Sequence, residues 1–115
     1  MQNHSETATL GVQCDVADLL RALTMTPPPV LLDVREDWEV ALCRLPGAVH
    51  IPLGQLPQRL EELQKDQAIV AYCHHGVRSL QAAAMLRMGG VGQVSSLRGG
   101  IHAWAEQVDP SMAKY

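Results

Sequence analysis

The chain has 115 residues and a formal net charge of −3, and 47% of its residues are hydrophobic. A chain of this length buries a core as one domain without disulfide or metal staples, and with two Trp, two Tyr and no Phe that core must be aliphatic. The acidic balance, without any basic run, excludes a general nucleic-acid-binding surface.

Residues 1–10 lack the basic start and apolar centre of a secretory signal, and no apolar run approaches the roughly 18 residues of a membrane span. The three cysteines, Cys14, Cys43 and Cys73, are an odd number at wide spacings, which fits neither a disulfide framework nor a paired zinc site. The sequence therefore predicts a cytoplasmic protein with no membrane partner and no nucleic-acid partner.

Short apolar runs alternate with helical patterns in the first half of the chain, which is typical of an α/β domain around a mostly parallel sheet. A strand at 10–14 leads into a helix that Asp15 caps, and the prolines at 27–29 form a stiff connector to a buried strand at 30–34. A short helix at 36–42 follows. The apolar stripes predicted for these two helices are Val16, Leu19, Leu20 and Leu23 in the first, and Trp38 and Leu42 in the second.

The second half of the chain continues the alternation of strands and helices. Its predicted elements are, in order, a turn at 46–47, an edge strand at 48–51, an amphipathic helix marked by Leu56, Leu60 and Leu63, a central strand at 68–72, a helix with Leu80 on its inner face that continues through Met88, a strand at 94–97 and a helix holding Trp104. We expect a flexible N-terminal tail at 1–9, one domain at 10–108 and a C-terminal tail at 109–115.

The segment at 73–79 places the Cys73 thiol between the central strand and the following helix. Backbone N–H groups of such a loop and the positive end of the helix dipole converge on an anion, and Arg78 adds a full positive charge. Gly76 permits a tight backbone. Thiolate chemistry at Cys73 is therefore the leading hypothesis, and the alternative is an ordinary buried cysteine.

Two further loops follow strands at the same edge of the predicted sheet, where ligands collect in open parallel sheets. One comes after Val34 and contributes Arg35 and Glu36, and the other is the turn at 98–100. For a site to form, these two loops would have to converge on the Cys73 loop, which the sequence permits.

Four motifs resemble those of single-domain rhodaneses, which belong to the sulfurtransferase superfamily. The motifs occur in the order and at the spacing usual for that family, and together they cover most of the chain. They are LLDVRE at 31–36, PGAVHIPL at 46–53, YCHHGVRS at 72–79 and LRGGIHAW at 97–104.

The resemblance implies a rhodanese-like domain with a five-stranded, mostly parallel sheet, helices on both faces, and Cys73 at the base of a cradle-shaped loop. It implies that Cys73 takes a sulfane sulfur from a small donor such as thiosulfate, holds it as a persulfide, and passes it to cyanide, a small thiol or a protein thiol. The residues implied to bind the substrate and persulfide are His74, His75, Gly76, Val77 and Arg78. No metal and no organic cofactor is expected.

The length of the Cys73 loop bears on the choice between a sulfurtransferase and a phosphatase. Four residues separate Cys73 from Arg78, which is one fewer than in the related dual-specificity phosphatases of the cell cycle. The narrower cradle favours a single sulfur atom over a phosphate, so a phosphatase or arsenate reductase is the less favoured enzyme.

A sulfur-relay or regulatory binding module without independent turnover is the other alternative, and the retained Cys73 speaks against it.

The charged residues around the loop allow two interpretations. Asp33 and Arg35 form either an ion pair that orients the loop or, as we prefer, a structural unit in which Asp33 caps nearby backbone. Arg78 either faces the donor anion or pairs with Glu36 or Glu39 to fix the loop, and we expect the pairing.

Adjacent histidines beside a cysteine suggest metal ligands, but neighbours on a tight loop rarely chelate one ion and no third ligand is obvious in the sequence. We therefore predict no metal site, and side chains of His74 and His75 that face the rim and meet the donor or acceptor. Ser79 is a supporting residue. Cys14 and Cys43 are expected to be ordinary half-buried thiols, with a resolving role for Cys43 as the alternative.

Overall fold

The computed structural model describes residues 10–115, and the tail predicted at 1–9 lies outside the described residues. In chain order the elements are β1 (Gln13–Cys14), α1 (Val16–Ala22), β2 (Val30–Asp33), α2 (Asp37–Leu42), β3 (Val49–His50), two 3-10 helices (Leu53–Gln58 and Leu60–Glu62), β4 (Ile69–Tyr72), α3 (Val77–Met88), β5 (Val94–Leu97) and α4 (Gly100–Gln107). All five strands pair in parallel in the order β1-β5-β4-β2-β3, so β4 is central, as predicted.

Two aliphatic layers cover the two faces of the sheet. Ile69 and Ala71 of β4 belong to the layer that contains the inner residues of α3, whereas Val70 and Tyr72 belong to the layer that contains those of α1 and α4. Successive side chains of a strand point to opposite faces, so a strand buried on both faces is apolar throughout. The predicted α/β fold with helices on both faces of the sheet is confirmed.

Helix α1 begins where the sequence predicts. The carboxylate of Asp15 accepts from the backbone N–H of Asp18 at 2.8 Å, and the carboxylate of Asp18 accepts from the backbone N–H of Asp15 at 3.1 Å. This capping box satisfies donors that have no partner inside the helix. Leu20 of the predicted apolar stripe is 42% exposed, because the helical period turns Leu19 of that stripe and Ala22 inward.

The segment after β3 is not the amphipathic α-helix predicted from its leucines. It forms two short 3-10 helices, with Pro57 inside the first. Proline has no N–H to donate and clashes with the preceding turn, so a continuous α-helical ladder cannot cross this position. The leucines nevertheless face inward, since Leu56 and Leu63 are buried and Leu60 packs against the core.

The inner faces of α2 and α3 differ from the predicted ones. Trp38 and Leu42 of α2 are 61% and 49% exposed, and Glu39 is the buried residue of that helix. In α3, Leu80 is exposed and Ser79 is buried. Polar contacts account for both differences, because Glu39 and Ser79 turn inward toward partners around the Cys73 loop. Across residues 10–115, no helix combines the length and apolar character needed to cross a bilayer.

Candidate active site

Cys73 directly follows β4 and is 1% exposed. Its Sγ accepts from the backbone N–H of Gly76 at 3.1 Å and from that of Ser79 at 3.4 Å, and it lies 3.5 Å from the Ser79 hydroxyl. Gly76 is the N-cap of α3 and Ser79 lies in its first turn, where N–H groups have no acceptor within the helix. The sulfur therefore occupies the anion-binding position of a helix N-terminus.

The loop can bring these donors to the sulfur because Gly76 adopts a φ of +114°. L-residues with a side chain rarely adopt this conformation. A Cβ added at Gly76 would also come within 3.4 Å of the backbone nitrogen of Gly99 and the carbonyl oxygen of Leu97. The backbone conformation thus requires glycine at this position, whereas a Cβ would make only close van der Waals contacts.

The start of α4 holds the Cys73 loop from the other side. The backbone N–H of Ile101 donates to the carbonyl of Cys73 at 2.9 Å, and that of His102 donates to the carbonyl of His74 at 3.1 Å. Gly100 makes this approach feasible, because a Cβ there would lie 2.4 Å from the His74 carbonyl oxygen. The turn at 98–100 thus meets the Cys73 loop, an arrangement that the sequence permitted but did not predict.

Neutral hydroxyl groups that hydrogen-bond to one another lie next to the sulfur of Cys73. The hydroxyl groups of Ser79 and Ser96 are 2.6 Å apart, and the Ser79 hydroxyl also donates to the Gly76 carbonyl at 3.2 Å. Ser96 belongs to β5 and was not among the predicted site residues. Its signal in the sequence is weak: two serines interrupt an otherwise apolar strand, and both are buried.

Asp33 and Arg35 form a fully buried ion pair, with Nη2 and Oδ2 2.7 Å apart and Nε and Oδ1 2.9 Å apart. Asp33 Oδ1 also accepts from the backbone N–H of Arg35 at 3.0 Å, so the ion pair and the backbone cap, posed as alternatives above, both occur. The Tyr72 hydroxyl donates to Asp33 at 2.7 Å. Burial opposes the charge on Arg35, but the hydrogen bond and charge of Asp33 outweigh it and raise the pKa of the guanidinium.

Arg78 pairs with Glu39, through bonds of 2.6 and 2.8 Å to its two carboxylate oxygens. Of the two carboxylates predicted as partners, the structure thus selects Glu39 rather than Glu36. The hydrogen bond from Arg78 lowers the pKa of Glu39 to about 2, against the opposing effect of burial. Because this bidentate pair engages the guanidinium, Arg78 fixes α3 against α2 and links the segment after β2 to the Cys73 loop.

Tyr115 is a site residue that the sequence did not reveal. Its hydroxyl donates to Glu39 at 2.7 Å and accepts from Arg35 at 3.0 Å. Its ring stacks on that of His74, with centroids 3.8 Å apart and planes at 10°. Burial raises the pKa of Tyr115 to about 12, so the hydroxyl remains a donor at neutral pH. This residue lies in the segment predicted as a C-terminal tail, where no local pattern marks it.

The side chains of His74 and His75 lie at the rim of the loop, as predicted. His74 is half-buried and His75 is exposed, and Val77 beside them is 70% exposed. Burial lowers the pKa of His74, and the neighbouring His75 adds to this effect. His102 of α4 joins the pair, with its ring centroid 6.0 Å from that of His74 and 5.1 Å from that of His75.

The contacts of the other two cysteines, Cys14 and Cys43, fit a structural role. Cys14 is buried in β1, and burial raises the pKa of its thiol. Cys43 ends α2, and its carbonyl accepts from Nη2 of Arg35 at 2.5 Å. Neither forms a disulfide with Cys73, and all three thiols are free. These contacts support the structural interpretation of both residues.

Comparison with known proteins places this geometry in a family. Residues 16–107 match the model of the rhodanese-like domain. The chain is 40% identical over 101 residues to a sulfurtransferase of Allochromatium vinosum, covering 88% of this chain and 94% of that protein. It is 41% identical over 80 residues to the putative sulfurtransferase YtwF of Bacillus subtilis, covering 70% of this chain and 77% of that protein.

A solved structure agrees with these sequence matches. The rhodanese-like domain protein of Staphylococcus aureus superposes with a TM-score of 0.77 and 28% identity, over 90% of this chain and 97% of that one. The residues matched by the family model include β2 to β5, the Cys73 loop and the glycine turn that contacts it. The chain therefore belongs to the rhodanese-like domain family.

Proposed function

We propose that the protein is a sulfurtransferase that carries a sulfane sulfur on Cys73 as a persulfide. The observation behind this proposal is the pair of N–H donors, from Gly76 and Ser79, that lie 3.1 and 3.4 Å from Sγ. Backbone donors at a helix N-terminus stabilise an anionic sulfur without any other charged group in contact with it. Relatives that align over most of this chain are named as sulfurtransferases.

Two displacement steps make up the proposed cycle. The Cys73 thiolate attacks the outer sulfur of a donor such as thiosulfate. A new sulfur–sulfur bond forms while that of the donor breaks, and its electron pair leaves with sulfite. A thiophile such as cyanide or a thiolate then attacks the outer sulfur of the persulfide, which releases thiocyanate or a new persulfide and restores the Cys73 thiolate. The cycle consumes no net proton, oxidant or reductant, and it needs no metal or organic cofactor.

The residues around the loop have distinct proposed roles. The backbone of 74–78 forms the cradle for the outer sulfur, and the side chains of His74 and His75 meet the donor or acceptor at the rim. Ser79 supports the sulfur from below. Arg35, Asp33 and Arg78 position the loop, because their charges are already paired within the protein.

A protein thiol is a proposed acceptor alongside small thiols. The chain is 37% identical over 79 residues to the putative sulfur carrier protein YrkF of Bacillus subtilis, of which it spans 43%. It is also 33% identical over 114 residues to the probable adenylyltransferase/sulfurtransferase MoeZ of Mycobacterium tuberculosis, of which it spans 29%. Because Cys73 is 1% exposed, such an acceptor must present a slender group to the loop. The free thiols accord with the reducing cytoplasm that we propose as the location.

A steady-state assay of thiocyanate formation from thiosulfate and cyanide tests this function. The wild type should turn over, Cys73→Ser should fall to the background rate, and Cys43→Ser should stay within about twofold of the wild type, because its thiol makes only weak contacts. Loss of turnover in folded Cys43→Ser would contradict the single-cysteine cycle. A wild type that turns over no sulfane donor would favour the binding module, and Cys73-dependent phosphoester hydrolysis would favour the phosphatase.

A further inference from the structure

Three histidines from two elements meet at the rim of the Cys73 loop. One ring nitrogen from each of His74, His75 and His102 lies within 4.8 Å of the others. The sequence argued against a metal site because the adjacent pair lacked a third ligand. His102 of helix α4 is a candidate for that third ligand, and its backbone N–H donates to the carbonyl of His74 at 3.1 Å, which fixes the start of the helix to the loop.

The contacts of His102 leave one of its two ring nitrogens available to bind a metal ion. Its Nε2 lies 3.4 Å from the carboxylate of Glu106, one helical turn further along α4. Its Nδ1 is buried and has no hydrogen-bond partner among the residues that the structure describes. A carboxylate close to one ring nitrogen favours the proton at that nitrogen and leaves the lone pair of the other for a ligand, as in many metal-binding histidines.

The two loop histidines lie side by side. Their ring centroids are 4.0 Å apart with planes at 32°, and the stack on Tyr115 holds the ring of His74. Tetrahedral coordination with Zn–N bonds of about 2.0 to 2.1 Å brings ligand nitrogens to about 3.3 Å from one another. The ligand nitrogens, which lie within 4.8 Å of one another, therefore need to approach by up to about 1.5 Å. Side-chain rotation supplies movements of this size, and His75 is exposed.

We propose that His74, His75 and His102 bind one divalent transition-metal ion at the rim of the Cys73 loop. Imidazole ligands suit zinc, copper and nickel, and three of them leave a fourth coordination position open. The ion joins the Cys73 loop to α4. Its binding does not depend on sulfur chemistry, since no thiol belongs to the ligand set.

Zinc binding to the full chain tests the proposal, with Cys73→Ser as the background so that the active-site thiol cannot act as a ligand. Isothermal titration should show one ion per chain. In that background His102→Gln should weaken binding by more than about 100-fold, whereas Glu106→Gln should weaken it by about tenfold, because Glu106 acts only through the ring of His102. His4→Gln, which changes a histidine outside the described residues, is the matched control and should leave the affinity unchanged.

Cobalt in place of zinc identifies the ligands. Nitrogen ligation predicts absorption bands of tetrahedral cobalt without a thiolate charge-transfer band. A thiolate band, an unchanged affinity in His102→Gln, or loss of binding in His4→Gln would each overturn the proposal. His75→Gln provides a second test at an exposed side chain, and thermal unfolding verifies that each variant is folded.

A consequence for activity rests on the proposed function. An ion at the rim of the loop would slow the approach of a donor to Cys73. Zinc should therefore inhibit turnover of the wild type, and His102→Gln should resist it. Absence of turnover without zinc would count against the proposed function, whereas the binding titration alone decides the metal site.

Discussion

Two polar clusters flank the Cys73 loop, one buried and neutral and the other partly buried and charged. The neutral cluster consists of Ser79, Ser96 and the Gly76 carbonyl, and the charged cluster consists of Asp33, Arg35, Glu39, Arg78 and Tyr115. The neutral cluster lies against the sulfur. In the charged cluster each guanidinium is paired with a carboxylate.

This difference in charge indicates different roles for the two clusters, one in holding the loop in place and one in stabilising the sulfur. Paired charges in a buried site are held in one geometry, because breaking either pair leaves an uncompensated charge. Neutral donors can stabilise an anionic sulfur and then release it. We infer that the charged cluster fixes the loop in place and that the neutral cluster, with the backbone N–H groups, stabilises the sulfur.

Breaking the charged cluster should have the largest effect on stability. Asp33→Asn leaves the fully buried Arg35 without its counter-ion, and it should lower the free energy of unfolding by about 3 kcal/mol. Urea denaturation measures this change. The matched control is Asp66→Asn, at an exposed position, which should change the free energy by less than about 0.5 kcal/mol. Similar values for the two variants would contradict the role of the charged cluster.

Low pH should lower the free energy of unfolding by a somewhat smaller amount, because it protonates Glu39 of the same cluster. Arg78 holds the pKa of Glu39 at about 2 in the folded protein, whereas the unfolded chain takes up this proton near pH 4.3, roughly the ordinary glutamate value. The stabilisation is therefore complete above that ordinary value. The free energy of unfolding should therefore fall by about 2 kcal/mol as the pH drops from about 5 towards 2.

Unfolding measured across this pH range in Glu39→Gln isolates the contribution of one carboxylate. This variant should be less stable at neutral pH, and its stability should depend less on pH below 5. Glu61→Gln, at an exposed position, should keep the pH dependence of the wild type. An unaltered slope in Glu39→Gln would show that the pair with Arg78 does not stabilise the fold.

The neutral cluster should affect rate more than stability. Ser79→Ala removes the hydroxyl that lies 3.5 Å from Sγ, and we expect a fall of about tenfold in kcat for sulfur transfer, less than for a close oxyanion donor. Ser95→Ala is the matched control, since Ser95 is buried on the same strand as Ser96 and its side chain points to the opposite face of the sheet. Equal kcat values for the two variants would mean that Ser79 does not support the sulfur.

Tyr115→Phe should give the smallest effect and separate the two contacts of this side chain. It removes the hydrogen bonds to Arg35 and Glu39 but keeps the ring on His74. We expect a loss of about 1 kcal/mol in the free energy of unfolding, because the site is only partly buried. No loss at all would place Tyr115 outside the charged cluster.

Local patterns predicted most of the fold. Asp15 caps α1, the apolar run at 68–72 is the central strand, and the glycines at 99–100 form the turn into α4, because each depends on neighbours close in sequence. The position of Cys73 directly after the central strand was likewise predicted. The leucine spacing at 56–63 predicts an α-helix, but Pro57 prevents a continuous α-helical ladder, so the segment forms 3-10 turns.

Long-range contacts account for what the sequence did not predict. Glu39 turns inward because Arg78 reaches it from 39 positions away, and this exposes Trp38. Ser96, His102 and Tyr115 come from three separate segments, and only the packing of β5, α4 and the C-terminal residues brings them to the loop. No short pattern encodes that convergence.

The persulfide on Cys73 is most directly tested by intact-protein mass spectrometry before and after thiosulfate, and again after cyanide. We predict a gain of one sulfur atom, ~32 Da, that peptide mapping assigns to Cys73, that cyanide removes and that Cys73→Ser never shows. Sulfur that maps to Cys14 or Cys43, or a gain that persists in Cys73→Ser, would contradict the account.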